Sequence, residues 1–329
     1  RTGCRPTAQP RPTPAANSIP FFFRRVVVIN PCTPRVAAIH DLAGFGRTSL
    51  MVVIPIFSTL GIQVCPLPTA VLSTGTSGFS DFRFADLTEH MAAFLTHWKD
   101  LRLKFDAVYS GFLGSARQVE IVADCFEHCR KPGALAVVDP VLGDNGQLEP
   151  TMDMHMVERM RWLAKKATCI TPNLTEAALL LDEPYPFEAE EKGMDDGMLR
   201  DWLYRLTDNG PEVAVITSVP MGNKRRSSVV AYQRECRRFW RVDCDFLPAS
   251  YPGTGDTFTS VLTGSMMQGD SLPLAIDRAV QFVSLCIRAA FGHCAPCREG
   301  TFLERVLHSL SAPVTNSSYA LWEEEHPHG

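Results

Sequence analysis

The segment Ser250-Tyr251-Pro252-Gly253-Thr254-Gly255-Asp256-Thr257-Phe258 sets two glycines and a threonine directly ahead of an apolar, helix-patterned run, Phe258 to Met267. A helix that opens on glycines presents free backbone N–H groups and the positive end of its dipole. Such a terminus attracts developing negative charge, as on a phosphoryl group in flight. A carboxylate in the same turn, Asp256, can accept the proton of an attacking hydroxyl. Gly253, Thr254 and Gly255 as an anion cradle, with Asp256 as base, are what phosphoryl transfer to an alcohol requires. The alternative is an ordinary N-capped helix with Asp256 in its first turn.

Further polar residues follow short apolar runs: His40-Asp41, then Gly44 and Gly46; Ser110-Gly111-Phe112-Leu113-Gly114-Ser115; Asp139-Pro140-Val141-Leu142-Gly143-Asp144; Thr171-Pro172-Asn173-Leu174-Thr175-Glu176; and Thr217-Ser218. Asp139, Asp144, Asn173 and Glu176 supply oxygen donors, which suit Mg2+ held partly through water and nucleotide phosphates. Asn173 three residues ahead of Glu176 also reads as a capping box. Ser73, Thr74 and Thr76 read as turn residues.

Positioning these residues requires a frame. From Arg35 onward, apolar runs alternate with helix-period segments. Strands are expected at 36–39, 62–65, 107–109, 134–138, 168–170 and 213–217. Helices are expected at 48–60, 87–100, 116–130, 152–165, 174–181 and 198–207, with a long loop over 66–83. Continuous apolar strands between amphipathic helices imply a mostly parallel sheet covered on both faces. Runs 227–232 and 239–244 lack an intervening helix and are expected to form an antiparallel hairpin at one edge. Helices near 257–268, 272–290 and 302–310 close the domain. In such a sheet ligands collect beyond the carboxyl ends of the strands, so the polar residues above converge on one rim with Asp256.

Length and composition bound the class. The 329 residues suit one large α/β domain or two small ones, and no linker splits 36–310. The net charge, 32 − 36 = −4, gives no sign of a nucleic-acid surface. No apolar run reaches the ~18 residues needed to cross a bilayer. Cysteines in apolar segments, such as Cys65, Cys125, Cys169 and Cys286, suit reduced core thiols and a cytoplasmic setting. Residues 1–35, rich in Pro and Arg, are expected to be a disordered leader, with an organelle transit segment as the alternative. Residues 311–329, with Glu323-Glu324-Glu325, are expected to be a flexible tail. Gly44-Phe45-Gly46 lacks the third glycine of a dinucleotide fingerprint, and no Walker A sequence occurs. Cys294 and Cys297 beside His293 are read as surface thiols rather than a zinc site, since no second Cys-x-x-Cys sits at ribbon spacing. Cys125, His128 and Cys129 share a helix face without an evident fourth ligand.

Together, Gly44-x-Gly46, Pro68-Thr69, Ser110 to Gly114, Asp139 to Asp144, Thr171 to Glu176 and Gly253-Thr254-Gly255-Asp256, in that order, resemble the ribokinase-like superfamily. Within it they look most like the pyridoxal/pyridoxamine kinase branch, which is related to phosphomethylpyrimidine kinases. The resemblance spans about residues 35–310. It implies a three-layer α/β fold, a central mostly parallel sheet with helices on both faces, in a homodimer. It implies ATP-dependent phosphorylation of the 5′-hydroxymethyl group of a B6 vitamer. Asp256 matches the catalytic base, and Gly253 and Gly255 the anion hole. Asp139, Asp144, Thr171 and Glu176 match the surroundings of Mg2+ and a monovalent cation such as K+. Asn173 and Thr217, with neighbouring Ser218, match nucleotide contacts, and Thr69 a contact to the pyridine substituents. Two departures concern the substrate: Asp41 stands where these kinases usually carry Ser, and Phe112 where Tyr is common. An aspartate facing the heterocycle would favour amine-bearing substrates, pyridoxamine or hydroxymethylpyrimidine. Alternatives are a hydroxymethylpyrimidine kinase and a catalytically silent binding protein; a sugar kinase is disfavoured because no lid hairpin is inserted between the early strands.

Overall fold

The computed structural model describes residues 33–322 apart from 209, 223–225, 246–249, 295 and 315–316; the expected leader, up to residue 32, and residues 323–329 lie outside the described residues. The chain opens with β1 (Arg35–Ala43), α1 (Leu50–Thr59), β2 (Gln63–Leu72), β3 (Phe84–Asp86) and α2 (Thr88–Asp100). β4 (Phe105–Ser110), α3 (Ala116–His128) and β5 (Arg130–Val138) follow. A small hairpin, β6 (Gly143–Asp144) with β7 (Gln147–Leu148), precedes α4 (Met154–Ala164), β8 (Cys169–Ile170), α5 (Leu174–Leu181), α6 (Ala189–Lys192) and α7 (Asp196–Thr207). Then come β9 (Val213–Pro220), β10 (Arg226–Gln233), β11 (Arg238–Asp245), α8 (Thr254–Gln268), α9 (Leu272–Phe291), α10 (Leu303–Val306) and β12 (Tyr319–Leu321).

Among the described residues one 10-stranded sheet runs β12-β11-β10-β9-β8-β5-β4-β1-β2-β3. From β2 to β9 every pairing is parallel, and β3, β10, β11 and β12 add antiparallel edges. Alternate residues of β1 feed opposite faces. Ala37 and Ile39 pack with α2, α3, α4, α5 and α7, while Val36 and Ala38 pack with α1, α8 and α9. All four are fully buried, which is why the strand reads as an unbroken apolar run. The expected parallel sheet and edge hairpin are both present.

Two expectations change. The loop expected over 66–83 is strand as far as Leu72, so Thr69 lies inside β2. Pro66 and Pro68 argue against a strand, yet β3 pairs only with Ala70 to Leu72. Over the prolines β2 is therefore an edge, where a missing N–H costs no ladder bond. The tail expected over 311–329 is also partly ordered. Tyr319–Leu321 pairs antiparallel with β11, and Trp322 is buried against Phe239, with the Arg200 guanidinium 4.5 Å from its ring centroid. Trp322→Ala should cost about 3 kcal/mol, at the low end for buried aromatic truncations. Urea unfolding of the two proteins checks this; an unchanged midpoint would mean that the strand is not docked in solution.

Candidate active site

The carboxyl ends of β1, β4, β5 and β8 and the N-terminus of α8 meet around Asp256. α8 is entered through Gly253 in the left-handed region, φ 80°. A Cβ at Gly253 would lie 2.1 Å from the Arg47 carbonyl oxygen, so only glycine fits this turn. The first-turn amides of α8 have no carbonyl of their own helix to bond and face a cavity of about 720 Å3. Its wall includes Asp139, Gly143, Asp144, Thr171, Asn173, Glu176, Thr217 and Ser218 as well as Gly253, Thr254, Gly255 and Asp256. Every nucleotide, metal and catalytic residue expected from the sequence is thus brought to one chamber, of ordinary size for a small-ligand site.

Asp256 is buried and fixed by both oxygens. Oδ1 is 2.8 Å from His40 Nε2, and Oδ2 accepts the Ser49 N–H at 2.7 Å. Burial opposes ionisation of Asp256, but the His40 charge, its hydrogen bond and the Ser49 amide outweigh this and hold the carboxyl below its ordinary value. Burial likewise opposes the His40 imidazolium, yet Asp256 and Asp41 together push it up to about 10. Ser49 sits at φ 58°, ψ −136°. Non-glycine residues in such sparsely populated regions typically cost ~1–3 kcal/mol, so local strain aims this amide at Asp256.

The carboxylates on the far wall repel one another. Burial, then the Asp256 charge, lift Asp139 to about 7 against the counter-effect of His40. Burial, then the Asp139 charge, lift Glu176 to about 8. A chain of hydroxyls ties this wall to α8: Thr171 Oγ1 is 2.9 Å from Thr259 Oγ1, which donates to Asp139 Oδ2 at 3.2 Å. Glu176 also completes a capping box with Asn173, and its Oε1 accepts the Leu142 N–H. The capping reading of this pair holds, and the box itself lies on the cavity wall. Asn173 Nδ2 in turn holds the Gly143 carbonyl at 2.8 Å. Among the described residues no three His, Cys, Asp or Glu groups form a closed metal cage. Crowded hard oxygens fit a divalent cation that keeps water or phosphate in its remaining positions.

The expected substrate residues lie differently. Asp41 is buried with Oδ1 2.7 Å from His40 Nδ1, and neither it, Thr69 nor Phe112 is on the wall of this cavity. Thr69 is wholly buried beside β1 and its Oγ1 has no hydrogen-bond partner. Phe112 is half-buried against the core. Cys294 and Cys297 are free, exposed thiols, and Cys297 and Arg298 line the cavity together with Ser77 and Gly78. The sequence alone assigns no role to His40, Ser49 or Thr259. Thr259 had a signal, three residues after Asp256 on the same helix face; the Ser49 contribution is purely backbone and had none.

Residues 54–296 match the sequence profile of the family described as phosphomethylpyrimidine kinase. The chain belongs to that family. A Bacteroides thetaiotaomicron member, provisionally named a phosphomethylpyrimidine kinase and solved with pyridoxal, is 53% identical, with a TM-score of 0.84 over 88% of this chain and 100% of that one. A pyridoxal kinase from Lactobacillus plantarum is 31% identical, with a TM-score of 0.76 over 85% of this chain and 97% of that one. A hydroxymethylpyrimidine/phosphomethylpyrimidine kinase of Mycobacterium bovis is 26% identical over 78% of this chain and 90% of its own. The three-layer architecture of this family member is the ribokinase-like fold.

Proposed function

We propose that the chain transfers the γ-phosphoryl group of ATP to the 5′-hydroxymethyl group of a B6 vitamer. The observation that carries this is the Asp256 carboxylate, ionised and fixed beside the free amides of α8 on the wall of a carboxylate-lined cavity. The vitamer oxygen attacks the γ-phosphorus, its proton passes to Asp256, and the bond from γ-phosphorus to the bridging oxygen breaks to leave ADP. A carboxylate with a lowered pKa is a weak base. That suits a loose transition state, in which the hydroxyl turns acidic only as its bond to phosphorus forms. Gly253 to Asp256 donate backbone N–H groups to the charge that develops. The pyridoxal-bound relative supports the substrate class. The M. bovis relative favours a second reading, hydroxymethylpyrimidine, which also carries a hydroxymethyl group on a heteroaromatic ring. An ADP-release assay with pyridoxal, pyridoxamine, pyridoxine, hydroxymethylpyrimidine and ribose decides between them. Turnover of the vitamers supports the first reading, of the pyrimidine alone the second, and of ribose alone neither.

Mg2+ would be held from the Asp139, Asp144, Thr171 and Glu176 side of the cavity, where it supplies charge neutralisation to the nucleotide phosphates, with a monovalent cation such as K+ beside it. Glu176→Gln and Asp139→Asn should each raise the Mg2+ concentration for half-maximal rate, and an unchanged titration in both would leave Glu176 as a cap alone. The carboxyl shifts add a pH dependence. Asp139 and Glu176 bind protons in the folded protein up to about 7 and about 8, above their unfolded values. Each therefore subtracts stability as pH rises through that window. Asp256, Asp144 and His40 are the charged groups that face them; His40, raised, also loses its contribution as pH rises, while that of Asp256 is lost only in acid. The metal-free melting temperature is expected to fall between pH 5 and pH 9, with Mg2+ restoring more of it at the higher pH. A flat profile would mean that these carboxyls are not crowded.

A homodimer in the cytoplasm completes the proposal. It rests on the family resemblance and on the unpaired thiols, and among the described residues no helix is long and apolar enough to cross a membrane. Light scattering checks the dimer.

A further inference from the structure

His40 is buried in β1 with one carboxylate on each ring nitrogen, Asp41 Oδ1 at 2.7 Å and Asp256 Oδ1 at 2.8 Å. Its setting is built for it. A Cβ on Gly111, at the end of β4, would lie 2.0 Å from His40 Cδ2, so the ring lies across bare backbone. Tyr109 meets the imidazole edge-on at 6.3 Å between centroids. A helix-capping aspartate needs none of this, since its own first-turn amides and solvent satisfy it.

Nε2 carries the proton that faces Asp256 Oδ1, Nδ1 stands between Asp41 Oδ1 and the Asp41 backbone N–H 3.0 Å away, and a pKa of about 10 favours the protonated ring at neutral pH. It therefore cannot take the substrate proton, which must stay on Asp256. Asp41 spends one oxygen on the ring and reaches the reaction only through it. We propose that His40 is a positioning residue that fixes the Asp256 carboxylate against the substrate hydroxyl, and that Asp41 acts on catalysis through His40 rather than on the substrate ring. The inference rests on the kinase reading above.

The two amide replacements separate the two ends of the imidazole. Gln places an N–H donor near the Nε2 position, facing Asp256; Asn places one near Nδ1, facing Asp41. His40→Asn should lower kcat by about 10²-fold, in the range of losing a positioned base, with the Kd for ADP and the KM for the vitamer little changed. His40→Gln should recover about tenfold or more of that loss, as a second donor to the carboxylate would. Asp41→Asn should lower kcat for pyridoxamine and pyridoxal by one common factor. Equal activity of the Asn and Gln variants, or losses confined to ADP binding or matched by falls in melting temperature, overturn the positioning role. A changed pyridoxamine-to-pyridoxal ratio in Asp41→Asn overturns the indirect role of Asp41. A wild-type protein inactive on vitamers and pyrimidine alike overturns the kinase reading and this inference with it, whereas an active one with unaffected His40 variants overturns the inference alone.

Discussion

Asp256→Asn is expected to lower kcat by ~10²–10⁴-fold, the usual consequence of losing a positioned base, while ADP still binds. The substitution keeps shape but not function. An amide offers one acceptor, whereas Asp256 accepts from both His40 and the Ser49 amide. One of those buried donors loses its partner, at a typical cost of ~1–3 kcal/mol, so the variant should also melt a few degrees lower. Rate and stability separate on measurement: ADP titration reports an intact nucleotide side, and single-turnover kinetics report the chemical step. A variant with near wild-type kcat would make Asp256 a helix cap and nothing more.

Gly253→Ala is expected to be nearly as damaging, for a different reason. Its φ of 80° is strained for any L side chain, at ~1–2 kcal/mol. The new methyl would meet the backbone at Arg47 and Thr48, which cannot swing aside as a long side chain would. Overpacking of this kind adds ~1–3 kcal/mol. The displaced segment runs directly into Ser49, whose amide holds Asp256, so the anion cradle and the base are disturbed together. Loss of a single oxyanion-type donor alone lowers kcat by ~10²–10³-fold. Gly255→Ala is the control. Its Cβ would have only Asp139 Oδ2, at 3.9 Å, within contact range, so it should fold normally. Equal urea midpoints for Gly253→Ala and wild type would show that the turn is looser than its contacts imply.

What was legible in the chain was whatever local pattern dictates. Unbroken apolar strands such as β1 and amphipathic helices such as α3 announce a buried parallel sheet, and α5 begins and ends where its capping box and periodicity place it. The glycine turn before α8 and the acidic residues after β5 and β8 announced the cavity in the same way. The misses are non-local. β2 hides behind two prolines that are harmless only because β3 is short. β12 exists because the edge left by β11 is there to receive it. The His40 link to Asp256 joins β1 to α8 across 216 positions, with Gly111 of a third segment making room. No spacing rule in one sequence encodes a contact of that kind, although a histidine beside an aspartate at a strand end was the visible trace.

Transfer of a phosphoryl group to a ring hydroxymethyl is tested most directly by identifying the product. Purified protein is incubated with Mg2+, ATP and pyridoxamine, pyridoxal or hydroxymethylpyrimidine, and the mixture is followed by 31P NMR. A monophosphate ester resonance coupled to methylene protons is expected, growing in step with ADP and absent with Asp256→Asn. ATP converted only to inorganic phosphate, or an ester formed equally well by Asp256→Asn, would contradict it.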